Sequence, residues 1–220
     1  MPSLSWVAAS DIEYFSEQGE HEKEFAIEKE PLGIGGFQKA FHASSTRTRF
    51  HHCKWVIKQY LQAAVDNIKA IKQTVEQHTK KVVQMHMLVK INTTKLQNES
   101  AKEDSLVLYG ETLEYKKVFM GKMEGGEFVT IEEFIEGEFA KYINNNGEFS
   151  ISDCQILKKA ESLAHFSYER SEKEFVILDM QGSGYHLFDP EIASRKLIED
   201  EEVYFQLSIC QLQPSITSLV

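Results

Sequence analysis

Residues 174–190 read EFVILDMQGSGYHLFDP. The apolar run EFVIL shows no alternation, which predicts a strand buried on both faces rather than one half-exposed to water. Asp179 stands where that strand ends, on the rim of whatever cleft the sheet forms. A carboxylate so placed can accept a hydroxyl proton or hold Mg2+, and the amide oxygen of Gln181 can share the metal. The same residues also suit a capping Asp in the glycine-rich turn around Gly182 and Gly184, the plainer reading of the motif standing alone. Asp189-Pro190 taken by itself is an ordinary turn.

Working back along the chain, DCQILKKAESLAHFSYE predicts a helix leading into this strand. Ser152 with Gln155 fits a capping box, and Ile151 with Ile156 fits the accompanying hydrophobic staple. Asn144–Gly147 reads as a turn. Val118–Met120 and Phe128–Ile131 are strand-like and are joined by GKMEGG, a hairpin signal. Residues 92–105, NTTKLQNESAKEDS, are polar and predict a loop.

From Leu61 to about Lys95 the pattern changes period. Leu61, Ile68, Val75, Val82 and Val89 recur every seven residues, with Ala64, Ile71, His78 and Met85 offset by three. This predicts one long amphipathic helix packed on a sheet. A coiled-coil homodimer through residues 61–89 is the competing reading, weakened because His78 and Ala64 make a poor seam. Before the helix, Trp55–Tyr60 is strand-like, as are the short segment FAIE within Glu24–Glu30 and its returning partner Gln38–Ser44. Between the last two lies PLGIGG, a turn in which Gly33, Gly35 and Gly36 leave backbone N–H groups open to phosphate oxygens. Lys58 follows in the next strand. It either faces solvent or supplies a point charge to the α- and β-phosphates of a nucleotide.

Composition bounds the class. The 220 residues carry 34 acidic and 24 basic side chains, a net charge of −10, which argues against a broad nucleic-acid or anionic-membrane surface. No apolar run approaches the roughly 20 residues of a membrane span. The start MPSLSWVAAS shows no basic region followed by an apolar stretch, so no signal peptide is expected. Cys53, Cys154 and Cys210 form no CxxC, consistent with a reduced, cytoplasmic setting.

The motifs of conventional protein kinases, HRD, DFG and APE, are absent. Four blocks nevertheless resemble, in order, the alpha-kinase family of the myosin heavy chain kinases, the elongation-factor kinase and the channel-linked kinases. GIGGFQKAFHA resembles the glycine-rich lid and KWVIKQY the strand with the phosphate-binding lysine. TIEEFIEGEFAKYINNNG resembles the hinge and its adjoining segment, and LAHFSYERSEKEFVILDMQGSGYHLFDP the catalytic segment.

The resemblance implies an α+β, two-lobed, atypical protein-kinase-like fold over residues 24–192. An N-terminal antiparallel sheet with a long helix would span about 24–131, a hinge about 132–136, and a smaller mixed C-terminal lobe 137–192. Residues 1–23 would be a loosely held tail and residues 193–220 a divergent one. It further implies that Lys58 contacts the α/β-phosphates, and that Glu132 and the backbone around Phe134 and Ile135 bind adenine. Asp179 would be the catalytic acid–base and metal residue, Gln181 a second Mg2+ ligand, and Asp189 an acid near the γ-phosphate. The implied activity is transfer of the ATP γ-phosphoryl group to Ser or Thr of a protein substrate.

The chain departs from the family after Pro190. Family members continue into a loop linked to peptide binding and then a His-x-Cys-x-x-x-Cys element, which builds a structural zinc site with a helix histidine. His165 stands at the helix position, but the segment after Asp189 carries Cys210 and no histidine. Four protein ligands are needed, so an assembled zinc site is not expected and His165 reads as a core histidine. The end reads as altered or truncated. Two other functions stay open, a nucleotide-binding pseudokinase acting as an interaction module and a helix-driven scaffold.

Overall fold

The computed structural model describes residues 14–15, 25–45, 50–51, 53–102, 110–123, 125–150, 155–194, 198–199 and 202–203. These fall into two compact units, each α+β. One runs to Gln84 and includes Lys117–Phe134; the other comprises Met85–Lys116 and the chain from Ile135 onward.

The first unit is built on a six-stranded sheet. In chain order its strands are β1 (Tyr14–Phe15), β2 (Ala26–Ile34), β3 (Gln38–Ser44), β4 (Trp55–Tyr60), β6 (Val118–Lys122) and β7 (Phe128–Glu133). Their spatial order is β1-β6-β7-β4-β3-β2. All neighbours are antiparallel except β1, which lies parallel to β6. Tyr14 and Phe15, expected in a loose tail, therefore add a short edge strand. β2 continues through Pro31 and Gly33, with register shifts around Pro31, so the glycine turn is confined to residues 35–37. The GKMEGG hairpin forms as expected, closed by Met123 N–H to Glu127 O at 2.7 Å. One face of the sheet holds Trp55, Ile57, Val129, Ile131, Ala43 and Phe50 in a compact core. The Trp55 indole N–H donates to Phe50 O at 2.7 Å, so the largest buried ring leaves no polar atom unpaired.

The predicted long helix is two helices, α1 (Gln62–Ala70) and α2 (Val75–Lys102). Lys72 takes a left-handed φ of 59°, and Gln73 N–H closes back on Ile68 O at 3.2 Å, ending α1. Thr74 and Gln77 then form a reciprocal capping box, Gln77 N–H to Thr74 Oγ1 at 3.1 Å and Thr74 N–H to Gln77 Oε1 at 2.9 Å. The seven-residue pattern of 61–89 thus spans a break between two helices and is not a single seam. Conversely, α2 runs on through most of the predicted loop 92–105. Asn92 and Thr93, both 3% exposed, return their side chains to Leu88 O and Val89 O at 2.9 and 2.8 Å. That lets polar residues sit on a buried helix face.

The second unit combines the later part of α2 with α3 (Gln155–Arg170) and two small sheets. One has the order β5-β11-β10-β8, from β5 (Glu114–Tyr115), β8 (Ala140–Lys141), β10 (Gln181–Ser183) and β11 (His186–Phe188). The other pairs β9 (Phe175–Leu178) antiparallel with β12 (Glu191–Ser194). A third hairpin joins β13 (Ile198–Glu199) and β14 (Glu202–Val203). α3 buries Leu157, Ala160, Leu163, Ala164 and Tyr168, an i, i+3, i+4 stripe, against β9. Ser167 ties helix to strand, accepting from Ile177 N–H at 3.0 Å and donating to Ala164 O at 2.7 Å. The capping box and staple at 151–156 fall on residues 151–154, outside those described.

Candidate active site

In the first unit the regular pairing of β3, β4, β6 and β7 fixes which side chains share a face. Lys58 lies opposite Ala40 on one side and Thr130 on the other, and Ala40 in turn lies opposite Gly33. Gly33 and Lys58 therefore point to the same side of the sheet. Two residues back along the strand, Val56 pairs with Glu132 and His42. Lys58 and Glu132 form an ion pair, with side chains 11% and 8% exposed. The sequence separates them by more than 70 residues, and no pattern in it announces the pair. The Glu132 carboxylate expected at adenine is thus held by the phosphate-binding candidate itself. Phe134 N–H extends the strand pairing to Lys54 O at 2.9 Å, and its ring meets His42 at 4.6 Å.

In the second unit the four residues of β9 are all buried, as the unbroken apolar run predicts. Asp179 follows at once with φ 50°, in the left-handed region, and is 8% exposed. Asp tolerates this conformation better than a branched residue would. Its Oδ1 is 2.7 Å from Lys141 Nζ, and its Oδ2 accepts from Gln181 Nε2 at 3.1 Å. Register explains the convergence, because Gln181 on β10 lies opposite Lys141 on β8 and Phe188 on β11. Gln181 Nε2 also reaches the backbone oxygen of Asp189 at 3.4 Å. Asp189 likewise has a positive φ, 47°. Expected site residues Asp179, Gln181 and Asp189 are therefore gathered in one unit, and Gly33, Lys58, Glu132 and Phe134 in the other.

Two charged residues here escaped the sequence reading. Lys141 sits in a strand of only two residues, too short to show a period. Glu191 opens β12 and pairs with Leu178, which brings it beside the exit of β9. Burial, followed by the negative charge of Asp179, pushes Glu191 up to about 7; Lys141 opposes the shift and Asp189 adds to it. Asp179 and Asp189 thus act on Glu191 in the same direction, and Lys141 against them.

Among the described residues no three His, Cys, Asp or Glu side chains form a group that could hold a metal ion. Mg2+ is commonly held by one or two carboxylates together with phosphate oxygens. His165 is exposed on α3 and is not a core histidine, correcting that expectation. Cys210 lies outside the described residues. Among those residues no helix is long and apolar enough to cross a membrane.

Comparison with known proteins gives a consistent picture. The Alpha-kinase family matches residues 33–202. Mouse transient receptor potential cation channel subfamily M member 6 is 26% identical over 168 residues, 72% of this chain and 8% of the channel protein. Myosin heavy chain kinase B of Dictyostelium discoideum is 39% identical over 61 residues, 28% of this chain and 8% of that kinase. The alpha-kinase domain of myosin-II heavy chain kinase A in complex with AMP-PNP superposes with TM-score 0.60 at 18% identity, covering 77% of this chain and 74% of that one. The matched stretch is only a small part of the full-length channel protein and of myosin heavy chain kinase B.

Proposed function

The chain belongs to the alpha-kinase family, and we propose that it is an ATP-dependent protein kinase that transfers the γ-phosphoryl group to a Ser or Thr hydroxyl. One observation carries this reading. Asp179 is a nearly buried carboxylate in a left-handed turn, held from two sides by Lys141 and Gln181. A group fixed at that cost in backbone strain suits chemistry better than simple turn formation. The neighbouring structure that binds AMP-PNP supports a nucleotide as the second substrate.

Each unit contributes a defined set of roles. Lys58 supplies positive charge to the α/β-phosphates, oriented by Glu132, and the glycines at 33, 35 and 36 offer backbone N–H groups. Because Phe134 N–H is engaged by Lys54, the Ile135 N–H is the backbone donor assigned to adenine. Asp179 accepts the proton of the acceptor hydroxyl as its oxygen bonds to the γ-phosphorus and the bond to the β–γ bridging oxygen breaks, releasing ADP. Gln181 commits its Nε2 to Asp179 and Asp189, which turns its Oε1 away from both. Mg2+ held by Asp179 would supply charge to the transferring group, and for the Gln181 oxygen to join it the amide would have to turn over, giving up its bonds to Asp179 and Asp189. Lys141 holds Asp179 in place, and Asp189 adds an acid near the γ-phosphate.

The test is autophosphorylation with labelled ATP and Mg2+, comparing wild type with Asp179→Ala. Loss of at least about a thousandfold is expected, since general acid–base and metal roles fall together. Equal label in both proteins sinks the assignment. A thermal shift with Mg·ATP but no label above Asp179→Ala identifies a nucleotide-binding module instead.

A further inference from the structure

The four-stranded sheet of the second unit has one sealed face and one open face. Tyr115, Leu187, Gly182 and Ala140 stand in register across β5, β11, β10 and β8. Tyr115 and Leu187 are 1% and 0% exposed in the core, and Ala140 packs against it. Successive side chains of a strand alternate between faces, so the next row, Lys141, Gln181 and Phe188, stands on the other side. Two of these three, Lys141 and Gln181, hold the Asp179 carboxylate. The candidate base is therefore gripped by side chains of the open face.

That face continues into aromatic surface. Phe139 immediately precedes β8 and is 60% exposed, yet its ring centroid lies 6.1 Å from that of Phe188. The segment before it is pressed onto the sheet: Gly137 has φ 115°, and a Cβ there would collide with Ser183 Oγ of β10. An apolar ring held in water beside a reaction centre gains free energy when another apolar group covers it. The spacing identifies the group. Phe188 lies directly opposite Gln181, and such cross-strand partners are about 5 Å apart at Cβ. An extended peptide returns a side chain to the same face every second residue, about 6.7 Å on. With its hydroxyl at Asp179, its side chain two positions away falls at the aromatic pair.

We infer that Phe139 and Phe188 are specificity-determining residues for the protein substrate, forming a platform for an apolar side chain two residues from the Ser or Thr acceptor. This rests on the kinase reading above.

The test uses nine-residue peptides with one central Thr, in which the residue two before or two after it is Leu, Phe or Asp. The expected kcat/KM of the wild type is about tenfold higher with Leu or Phe than with Asp at one of the two positions, the scale of one apolar side chain leaving water. Phe139→Ser should erase that preference while leaving the Asp peptides and Tm unchanged, and Phe139→Tyr, which keeps the ring, should retain it. No apolar preference in the wild type, or one that survives in Phe139→Ser, overturns the inference. An autophosphorylating wild type that labels none of the peptides overturns it too. Autophosphorylation no greater than that of Asp179→Ala removes the kinase reading alone. Fluorescence anisotropy with the labelled Leu peptides then decides the platform, several-fold weaker binding to Phe139→Ser supporting it. Equal binding by the two proteins, or none, overturns it.

Discussion

The Lys58–Glu132 pair and the Asp179 cluster are both nearly buried, both charged and both assigned to the nucleotide reaction, yet they are built on opposite principles. Lys58 and Glu132 stand within strands on extended backbone, with paired strands on either side and one charge matching the other. Asp179 and Asp189 stand at strand ends with positive φ, and Lys141 is paired with Asp179 while acting electrostatically on Glu191. The regular sheet gives a position that cannot drift. The strained turns give side-chain directions that an alternating strand cannot supply, and they bring carboxylates close to one another. A buried ion pair stabilises mainly by not being broken, whereas neighbouring carboxylates repel, a cost that a bound cation can offset.

The contrast can be broken most forcefully at Lys58. Lys58→Ala leaves the Glu132 carboxylate buried without its partner and should cost about 3–5 kcal/mol of stability by chemical denaturation. Lys58→Met combined with Glu132→Gln should cost much less. If the single and double variants lose the same stability, the loss does not come from breaking this pair. Both variants should also bind ATP more weakly.

At Asp179 the opposite sign is expected. Asp179→Gly relieves the left-handed backbone and one of the clustered charges, and Lys141, 42% exposed, returns to water. Stability should rise by about 1 kcal/mol while phosphoryl transfer is lost. A destabilised variant would show that the turn is not strained in the way its φ implies.

Glu191 sharpens the electrostatic half. The folded chain holds its proton up to about pH 7, against an ordinary 4.5, so between those values the folded state binds more protons than the unfolded one. Its contribution is therefore most favourable below 4.5 and is lost as pH rises to about 7. Glu191→Gln should raise Tm by a few degrees at pH 8 and leave it unchanged at pH 4, followed by calorimetry. A Tm gain equal at both pH values would remove charge repulsion as the cause. Added Mg2+ with ATP should shrink the difference at pH 8.

The smallest effect is expected at His165. It is exposed on α3, so His165→Ala and treatment with a zinc chelator should each leave Tm within about a degree, as for other surface changes. A large drop with chelator would reveal a structural metal.

Much of the fold was legible because the local signals were strong. The unbroken run ending at Asp179 announced a buried strand, and GKMEGG announced its hairpin. The helix reading erred where chemistry outweighed period. The seven-residue repeat ran straight across residues 71–74, while the left-handed turn at Lys72 ended one helix and the capping box of Thr74 and Gln77 began another. Polar residues 92–102 read as loop because their hydroxyls and amides looked solvent-bound, when in fact Asn92 and Thr93 bond back to the preceding turn. Lys141 and Glu191 carried no signal, since each lies in a strand too short for a pattern and gains its meaning from a cross-strand neighbour.

The sequence alone therefore determined the family resemblance and most of the order of the elements, and through that resemblance it named Lys58, Asp179, Gln181 and Asp189 as candidates. Those depend on residue type and on spacing along the chain. Only the tertiary structure decided that Lys58 answers to Glu132 and that Asp179 answers to Lys141. Such pairings are set by strand register, which joins residues far apart in sequence, and register is a property of the folded sheet rather than of any local run of residues.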